Sequence, residues 1–250
     1  LKFRRVLFRS AGTMQSVGSI PRHGLMDFWK RRIKGLRPVL VVAGGMPEKE
    51  ARATVAKVLR GSGKVAPKKP VPAKRVKATE LRVKAVAKPV QQVNLAVGMY
   101  AFGRTDPRRH ALRIYSVILG EAMSSRLFQR LREEEGLVYS VSSGAHLQAD
   151  DGAFYISAGL EPGNVGKALG IIAGEMRELA TKGPGAAELK RAKDYATGQF
   201  ALGLEGTTQQ MFWMGDSLVN RGRGVEPAET LDRKSTRLNS SHVSESRMPS

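Results

Sequence analysis

The spacing of apolar residues before residue 60 predicts two helices and a strand. Helical spacing predicts a helix over residues 25–33, and the apolar, β-branched run 38–44 predicts a short buried strand. A second helix is predicted to start at Pro47. Glu48 and Glu50 lie in its first turn, where carboxylates suit the unpaired amides and the helix dipole. This part of the chain is therefore predicted to mix helices with a strand.

Beyond residue 80 the pattern predicts two strands, two helices, a second pair of strands and then three helices. The predicted strands cover residues 80–86, 90–100, 138–147 and 153–160, and the predicted helices cover residues 107–119, 126–135, 164–182, 187–204 and 207–219. The Asp-Gly step at Gly152 predicts a hairpin turn with a positive φ. Asn164 is the predicted cap of a helix that ends before Gly183 and carries one apolar face. The predicted class is α+β, an antiparallel sheet with helices packed on one face.

Positive charge is concentrated in one segment. The formal net charge is +20, and ten basic residues but only one acid, Glu80, lie between Arg60 and Lys88. Prolines interrupt this segment and no aromatic residue does, which favours a solvated linker over residues 61–77 rather than a phosphate-binding patch. Binding of nucleic acid is therefore not expected. A basic nucleic-acid-binding or scaffold module remains the alternative from another class, with steep salt dependence as its sign.

The two ends of the chain are related through their coding sequences. Residues 3–10 and 232–239 can be encoded on opposite strands of one DNA duplex that resembles a sequencing adapter. We interpret residues 1–10 and 232–250 as read-through remnants and exclude them from the fold. We also expect the natural protein to continue in both directions.

Several kinds of chemistry have no residues to carry them. The chain has no cysteine, so disulfides and thiolate catalysis are excluded. It has no Gly-x-Ser-x-Gly elbow, and no apolar run is long enough to predict a membrane span. Its four histidines are His23, His110, His146 and His242, and no two of them lie at the spacing of a helical zinc-ligand pair. No metal ligand is predicted in this chain, and the sequence predicts no cellular compartment.

One segment, residues 120–141, carries a specific pattern. It reads GEAMSSRLFQRLREEEGLVYSV, and it resembles the second-half signature of the pitrilysin/insulinase zinc peptidases, which include mitochondrial-processing-peptidase-like proteins. Residues 16–20, 27–29 and 39–44 are similar to the end of that family's first half. The resemblance covers residues 12–231. Glu121 and Ala122 stand where the family has glycines, which predicts a less flexible turn.

The resemblance implies two related α+β domains, of which the first is truncated here. Residues 11–60 would form the C-terminal part of the first domain, residues 61–77 the basic linker, and residues 78–231 the second, inactive-half domain. In this family an H-x-x-E-H motif of the first half binds zinc and supplies the general base. That motif is expected upstream of residue 12, so this piece alone is expected to hold no zinc and to be inactive.

The resemblance also assigns roles to Arg132 and Tyr139, which match an Arg and a Tyr that approach the scissile peptide from the second half. Both side chains can donate hydrogen bonds to a carbonyl oxygen that gains charge. The alternatives are that Arg132 pairs with Glu135 on a helix face and that Tyr139 is a half-buried strand aromatic. The implied function is part of a zinc metalloendopeptidase acting on peptides. A non-catalytic or structural family member, as a homodimer or as a heterodimer with a zinc-bearing subunit, is the nearer alternative.

Overall fold

The computed structural model describes residues 12–33, 38–60 and 81–225. The chain divides into two units, Leu1–Pro70 and Val71–Ser250, and each is described by itself. The predicted linker over residues 61–77 and the predicted remnants 1–10 and 232–250 lie outside the described residues, so their interpretation stays a prediction.

The regular secondary structure described in the first unit is helical. Its helices are α1 (Met14–Gly18), α2 (Arg22–Phe28), which continues as a π-helix over Trp29–Ile33, and α3 (Glu48–Val58). The predicted helices over 25–33 and from Pro47 are confirmed, with Pro47 at the N-cap of α3. The short helix α1 was not predicted, although Thr13 and Ser16 form a capping box at its start.

Two predicted strands are wrong. Residues 38–44 and 81–86 are not strands, and their apolar side chains are mostly exposed, including Leu40 and Leu81. Among the described residues of the first unit there is no strand for residues 38–44 to pair with, and an extended segment becomes a strand only when its backbone groups find a ladder partner. In the second unit, residues 81–86 pair with none of the strands that the structure describes.

The second unit is built on a three-stranded antiparallel sheet. The strands are β1 (Val93–Phe102), β2 (Val138–Leu147) and β3 (Asp151–Leu160), in the order β1-β3-β2. Leu160 pairs with Val93 on one side and with Val138 on the other. The three predicted strands in this part of the chain are confirmed, with β1 shifted by a few residues toward its C-terminal end.

Helices cover one face of this sheet, which confirms the α+β prediction. The helices described in this unit are α4 (Arg109–Ser116), which continues as a π-helix over Val117–Glu121, the π-helical segment Phe128–Glu134, α5 (Val165–Lys182), α6 (Ala186–Leu202) and α7 (Thr207–Arg221). Alternate residues of β3 point into the core, as the two-residue period of a strand requires. The buried apolar core is formed by Ile114, Val117, Ile118, Leu119, Leu127, Leu131, Phe154, Ile156, Ala158, Leu160, Ala168 and Ile172, among others.

Two local predictions in this unit are corrected. The β2–β3 hairpin exists, but Gly152 has no positive φ and already belongs to β3. Gly152 is needed for space instead, because a Cβ there would lie 2.6 Å from the carbonyl oxygen of Phe102. Asn164 occupies the N-cap of α5 but its Oδ1 accepts no capping bond, and its side-chain Nδ2 donates to the carbonyl of Leu137 (3.3 Å). Gly183, with a φ of 69°, ends α5 as predicted.

Candidate functional site

The two residues implied by the family resemblance lie on consecutive elements of the second unit. Arg132 is in the π-helical segment Phe128–Glu134, and Tyr139 is the second residue of β2. The chain turns between them at Gly136, whose φ of 59° lies in the left-handed region that favours glycine. The amide of Leu137 donates to the carbonyl of Leu131 (2.8 Å) and closes this turn. Arg132 therefore lies just before this short, hydrogen-bonded turn, and Tyr139 lies just after it.

A β-bulge directs the side chain of Tyr139. Val138 pairs with Leu160 and Ser140 pairs with Gly159, so Tyr139 is the extra residue of the strand. Its side chain is 59% exposed, whereas that of Val138 is buried in the core. The expectation that Tyr139 is a half-buried strand aromatic therefore does not describe it. The bulge turns the phenol away from the sheet and toward solvent.

The hydroxyl of Tyr139 has one charged partner. It donates to Oε1 of Glu161 (2.9 Å), the residue that directly follows β3. This hydrogen bond, reinforced by the negative charge of the carboxylate, raises the pKa of Tyr139 above its ordinary value. The phenol is therefore protonated at neutral pH and keeps its capacity to donate.

Arg132 is exposed and has an aromatic partner. Its guanidinium carbon lies 5.1 Å from the ring centroid of Phe128, one helical turn earlier. It forms no ion pair with any described residue, so the alternative pairing with Glu135 does not occur. Glu135 instead binds Nζ of Lys167 (2.5 Å), which lowers the pKa of Glu135 below its usual range. The guanidinium fork of Arg132 is left facing solvent.

The arrangement provides two hydrogen-bond donors of different kinds near one turn. No hydrogen bond or cation–π contact joins Arg132 to Tyr139, and each is oriented by its own partner. A guanidinium offers a fixed fork of N–H groups and a phenol offers a single O–H. Both suit an oxygen that carries partial or full negative charge.

The turn before this segment is fixed by the two residues that replace family glycines. Glu121 forms an ion pair with Arg113 of α4, and Ala122 is buried in the core. Both contacts tie the chain down ahead of the π-helical segment. The lower flexibility expected for this turn stays a prediction.

Two partners in this region were missed from the sequence. Glu161 was overlooked, although the hairpin register places it beside the first residues of β2 once Val138 is paired with Leu160. Arg126 was also overlooked. It binds Glu188 (2.8 Å) on α6 and lies 3.5 Å from Glu175 on α5, and only the tertiary fold brings these residues together.

The described residues do not fit a zinc site. They contain no group of three or more His, Asp or Glu side chains that could hold a metal ion. His23 and His146 are exposed on different units, and His110 lines an apolar cavity of about 800 Å³ between α4, α5 and α6. Within the described ranges, no helix has the length and apolarity needed to cross a membrane.

The fold defines the class of protein: an α+β domain whose antiparallel sheet carries helices on one face. The sequence profile of the peptidase M16 inactive domain matches residues 19–195. The chain belongs to this family. The resemblance to pitrilysin/insulinase zinc peptidases is thereby confirmed.

Relatives and solved structures agree with this assignment. The chain is 33% identical to a protein named "uncharacterized zinc protease" of Mycobacterium leprae, over 86% of this chain and 49% of the relative. It is 30% identical to a protein of the same name from Streptomyces coelicolor, over 89% of this chain and 50% of the relative. The chain therefore spans about half the length of these relatives.

Solved structures share the fold over most of the chain. A peptidase M16 inactive domain from Pseudomonas fluorescens is 23% identical with a TM-score of 0.65, covering 90% of this chain and 54% of that one. A conserved protein of Enterococcus faecalis is 18% identical with a TM-score of 0.72, covering 92% and 53%. At these identities the likeness concerns the fold.

Proposed function

We propose that this chain is part of a zinc-dependent metalloendopeptidase in which Arg132 and Tyr139 bind the peptide substrate on the side opposite the metal. The observation that carries the proposal is the pair of exposed donors at the Gly136 turn, in a chain of the peptidase M16 family. The relatives named zinc proteases support zinc in the full-length protein. Zinc would be held by residues outside this chain.

The role proposed for Tyr139 and Arg132 is to stabilise charge on the scissile carbonyl oxygen. As that oxygen becomes an oxyanion, donors already in position stabilise it more than they stabilise the ground state. The hydroxyl of Tyr139 has one O–H, and it donates its hydrogen bond to Glu161 in this structure. Donation to substrate therefore requires the hydroxyl to leave Glu161. Arg132 forms no ion pair with a described carboxylate, so its guanidinium can bind the substrate without first breaking such a pair.

The proposal is tested in the full-length protein with Tyr139→Phe and Arg132→Lys. Tyr139→Phe removes only the hydroxyl, and Arg132→Lys keeps the charge but loses the planar fork. Loss of one preorganised donor typically lowers kcat by about a hundredfold to a thousandfold. We expect losses of this order with unchanged melting temperatures. Peptide-cleavage kinetics beside melting curves provide the measurement.

Two matched variants control for general effects. Tyr100→Phe removes the hydroxyl of another exposed tyrosine of the same sheet, and Arg130→Lys alters an arginine of the same π-helical segment that pairs with Glu134. Both are expected to cleave at the wild-type rate. Wild-type turnover in Tyr139→Phe and Arg132→Lys would remove the proposed roles, and unfolding of either variant would assign that residue to packing.

The same protein distinguishes the nearer alternative. A full-length chain that is folded but neither binds zinc nor cleaves peptides is a non-catalytic member, which is expected to act as a homodimer or with a zinc-bearing subunit. Metal analysis, cleavage assays and the mass of the assembly in solution separate these outcomes.

A further inference from the structure

A second group of arginines surrounds a cavity that the proposed peptidase function does not use. This cavity of about 340 Å³ lies where β1 ends and α4 begins, beside the last turn of α7, within the second unit. Arg104, Arg109 and Arg221 line it, together with Thr105 and a single carboxylate, Asp216. Three positive charges against one negative charge leave a net charge of +2 around the cavity.

Arg104 lacks a full set of acceptors. Its Nη1 lies 3.8 Å from Oδ1 of Asp216, a long ion pair, and that oxygen already accepts a hydrogen bond from Asn220 (2.6 Å). Nε of Arg104 is shut off from solvent and has no hydrogen-bond partner within the described part of the chain. A buried N–H of a cation without an acceptor is costly. The partly exposed Nη1 of Arg104 also has no acceptor within hydrogen-bond distance among the described residues, and it is the group that a ligand in the cavity could reach.

Arg221 also reaches the cavity without a carboxylate partner among the described residues. It is the last residue of α7, and its guanidinium carbon lies 5.8 Å from the ring centroid of Trp213. Arg109 contributes differently, since it donates to the main-chain carbonyl of Arg104 and holds the loop after β1 in place. The loop, the start of α4 and the end of α7 thus direct excess positive charge to one point.

We propose that this cavity, here called the arginine cavity, binds a small phosphate-bearing ligand of about the size of a diphosphate group. A phosphate group carries close to two negative charges at neutral pH and three acceptor oxygens, which suits the guanidinium groups that Arg104 and Arg221 present to the cavity. A carboxylate carries only one charge. The volume falls in the range of small-ligand sites, which is more than a single inorganic phosphate fills. This site does not depend on the proposed peptidase function.

Trp213 offers a direct readout of the arginine cavity. The chain has two tryptophans, so Trp29→Phe leaves Trp213 as the only indole. Titration of this chain with pyrophosphate, at constant ionic strength, is expected to change Trp213 fluorescence saturably as Arg221 moves toward the ligand. The basic segment between residues 60 and 88 also attracts anions without specificity, but it contains no tryptophan to report that binding.

Substitutions localise the binding. Arg104→Gln and Arg221→Gln are each expected to weaken pyrophosphate binding about tenfold or more, because each removes charge-assisted hydrogen bonds. Arg177→Gln is the matched control, since it removes the same charge from an exposed position of α5 away from the cavity. It is expected to bind like the parent. Arg221 lies at an exposed helix end, so Arg221→Gln remains informative if Arg104→Gln does not fold.

Three results would overturn the proposal. They are the absence of a saturable change with pyrophosphate, an equal loss of affinity in Arg177→Gln, and binding of the dicarboxylate succinate as tightly as pyrophosphate. The first result would show that no binding site exists. The second would show that binding is only diffuse attraction of anions by a basic protein, and the third would show that the site is not selective for phosphate. Saturable binding that is lost in Arg221→Gln, retained in Arg177→Gln and weak for succinate supports it.

Discussion

The two units of the chain differ in how they use their apolar residues. No described residue of the first unit is buried, and Leu40, Val42 and Trp29 are among its exposed apolar side chains. In the second unit a continuous core joins the sheet to its helices, and Leu119, Leu127, Leu131 and Leu160 are fully buried there. The fraction of apolar residues does not separate the units. What separates them is whether the described residues supply a surface that the apolar residues can pack against.

The same contrast holds for ion pairs. In the first unit, Arg52 and Glu48 pair at 2.7 Å on an open helix face, with both side chains more than three-quarters exposed. In the second unit, Arg126 pairs with Glu188 at 2.8 Å while only 18% and 21% of the two side chains are exposed. Solvent screens the first pair strongly and the second pair much less. Ion pairs of equal length therefore do not contribute equally to stability.

The largest effect on stability is expected from a substitution that creates a cavity in the core of the second unit. Leu119→Ala removes a fully buried side chain, which typically costs about 2–5 kcal/mol, because the cavity adds to the lost burial. Urea unfolding followed by Trp213 fluorescence, in a Trp29→Phe background, measures it. Leu40→Ala is the counterpart in the first unit. It is expected to change the free energy of unfolding by less than about 0.5 kcal/mol, because Leu40 is already exposed.

Equal costs for Leu119→Ala and Leu40→Ala would contradict the comparison. Such a result would mean that Leu40 packs in solution against residues that the described structure does not include. The first unit would then have a core of its own.

The next effect concerns the ion pairs. Arg126→Leu takes from Glu188 its guanidinium partner and leaves Glu175 with Arg130 alone (3.6 Å), and we expect a loss of about 2–3 kcal/mol. Arg52→Leu removes the exposed pair and is expected to cost no more than about 0.5 kcal/mol. Thermal and urea unfolding of both variants give the comparison. A cost for Arg52→Leu as large as that for Arg126→Leu would show that exposure does not determine these contributions.

Much of the second unit was predictable from its sequence because several signals agree there. β2 was predicted with its observed bounds, and Gly183 was recognised as the end of α5. In these places local propensity and tertiary packing favour the same structure. Residues 38–44 have an equally apolar, β-branched pattern but form no strand. The apolar pattern of a segment shows only that it would suit a sheet. Whether it forms a strand depends on other strands with which it can pair.

The candidate site was predictable in part. The motif identified Arg132 and Tyr139, but the bulge that exposes Tyr139 depends on a register shift between β2 and β3 that periodicity does not reveal. Glu161, which holds the hydroxyl, lies 22 residues away along the chain. The cluster of Arg126 with Glu175 and Glu188 spans 49 and 62 residues, and the packing of three helical elements creates it. Such contacts follow from topology rather than from local sequence.

The smallest effect is a pH dependence that belongs to the second unit. The hydrogen bond and charge of Arg126 lower the pKa of Glu188 below its usual range. A carboxyl whose folded pKa is depressed stabilises the fold at every pH above its unfolded pKa of about 4.3, and that stability is lost as the pH falls through the folded value. Glu188→Gln cannot ionise, so it is expected to lack this contribution at pH 7. It should melt a few degrees below wild type there, roughly 2–4 °C for about 1 kcal/mol in a chain of this size. The difference should shrink as the pH is lowered from about 5 toward 3, because wild-type Glu188 then becomes neutral as well. Melting temperatures of both proteins across this range measure the effect, with Glu48→Gln in the first unit as the control that is expected to follow wild type. A constant difference between wild type and Glu188→Gln at all pH values would assign the effect to packing rather than to the charge of Glu188.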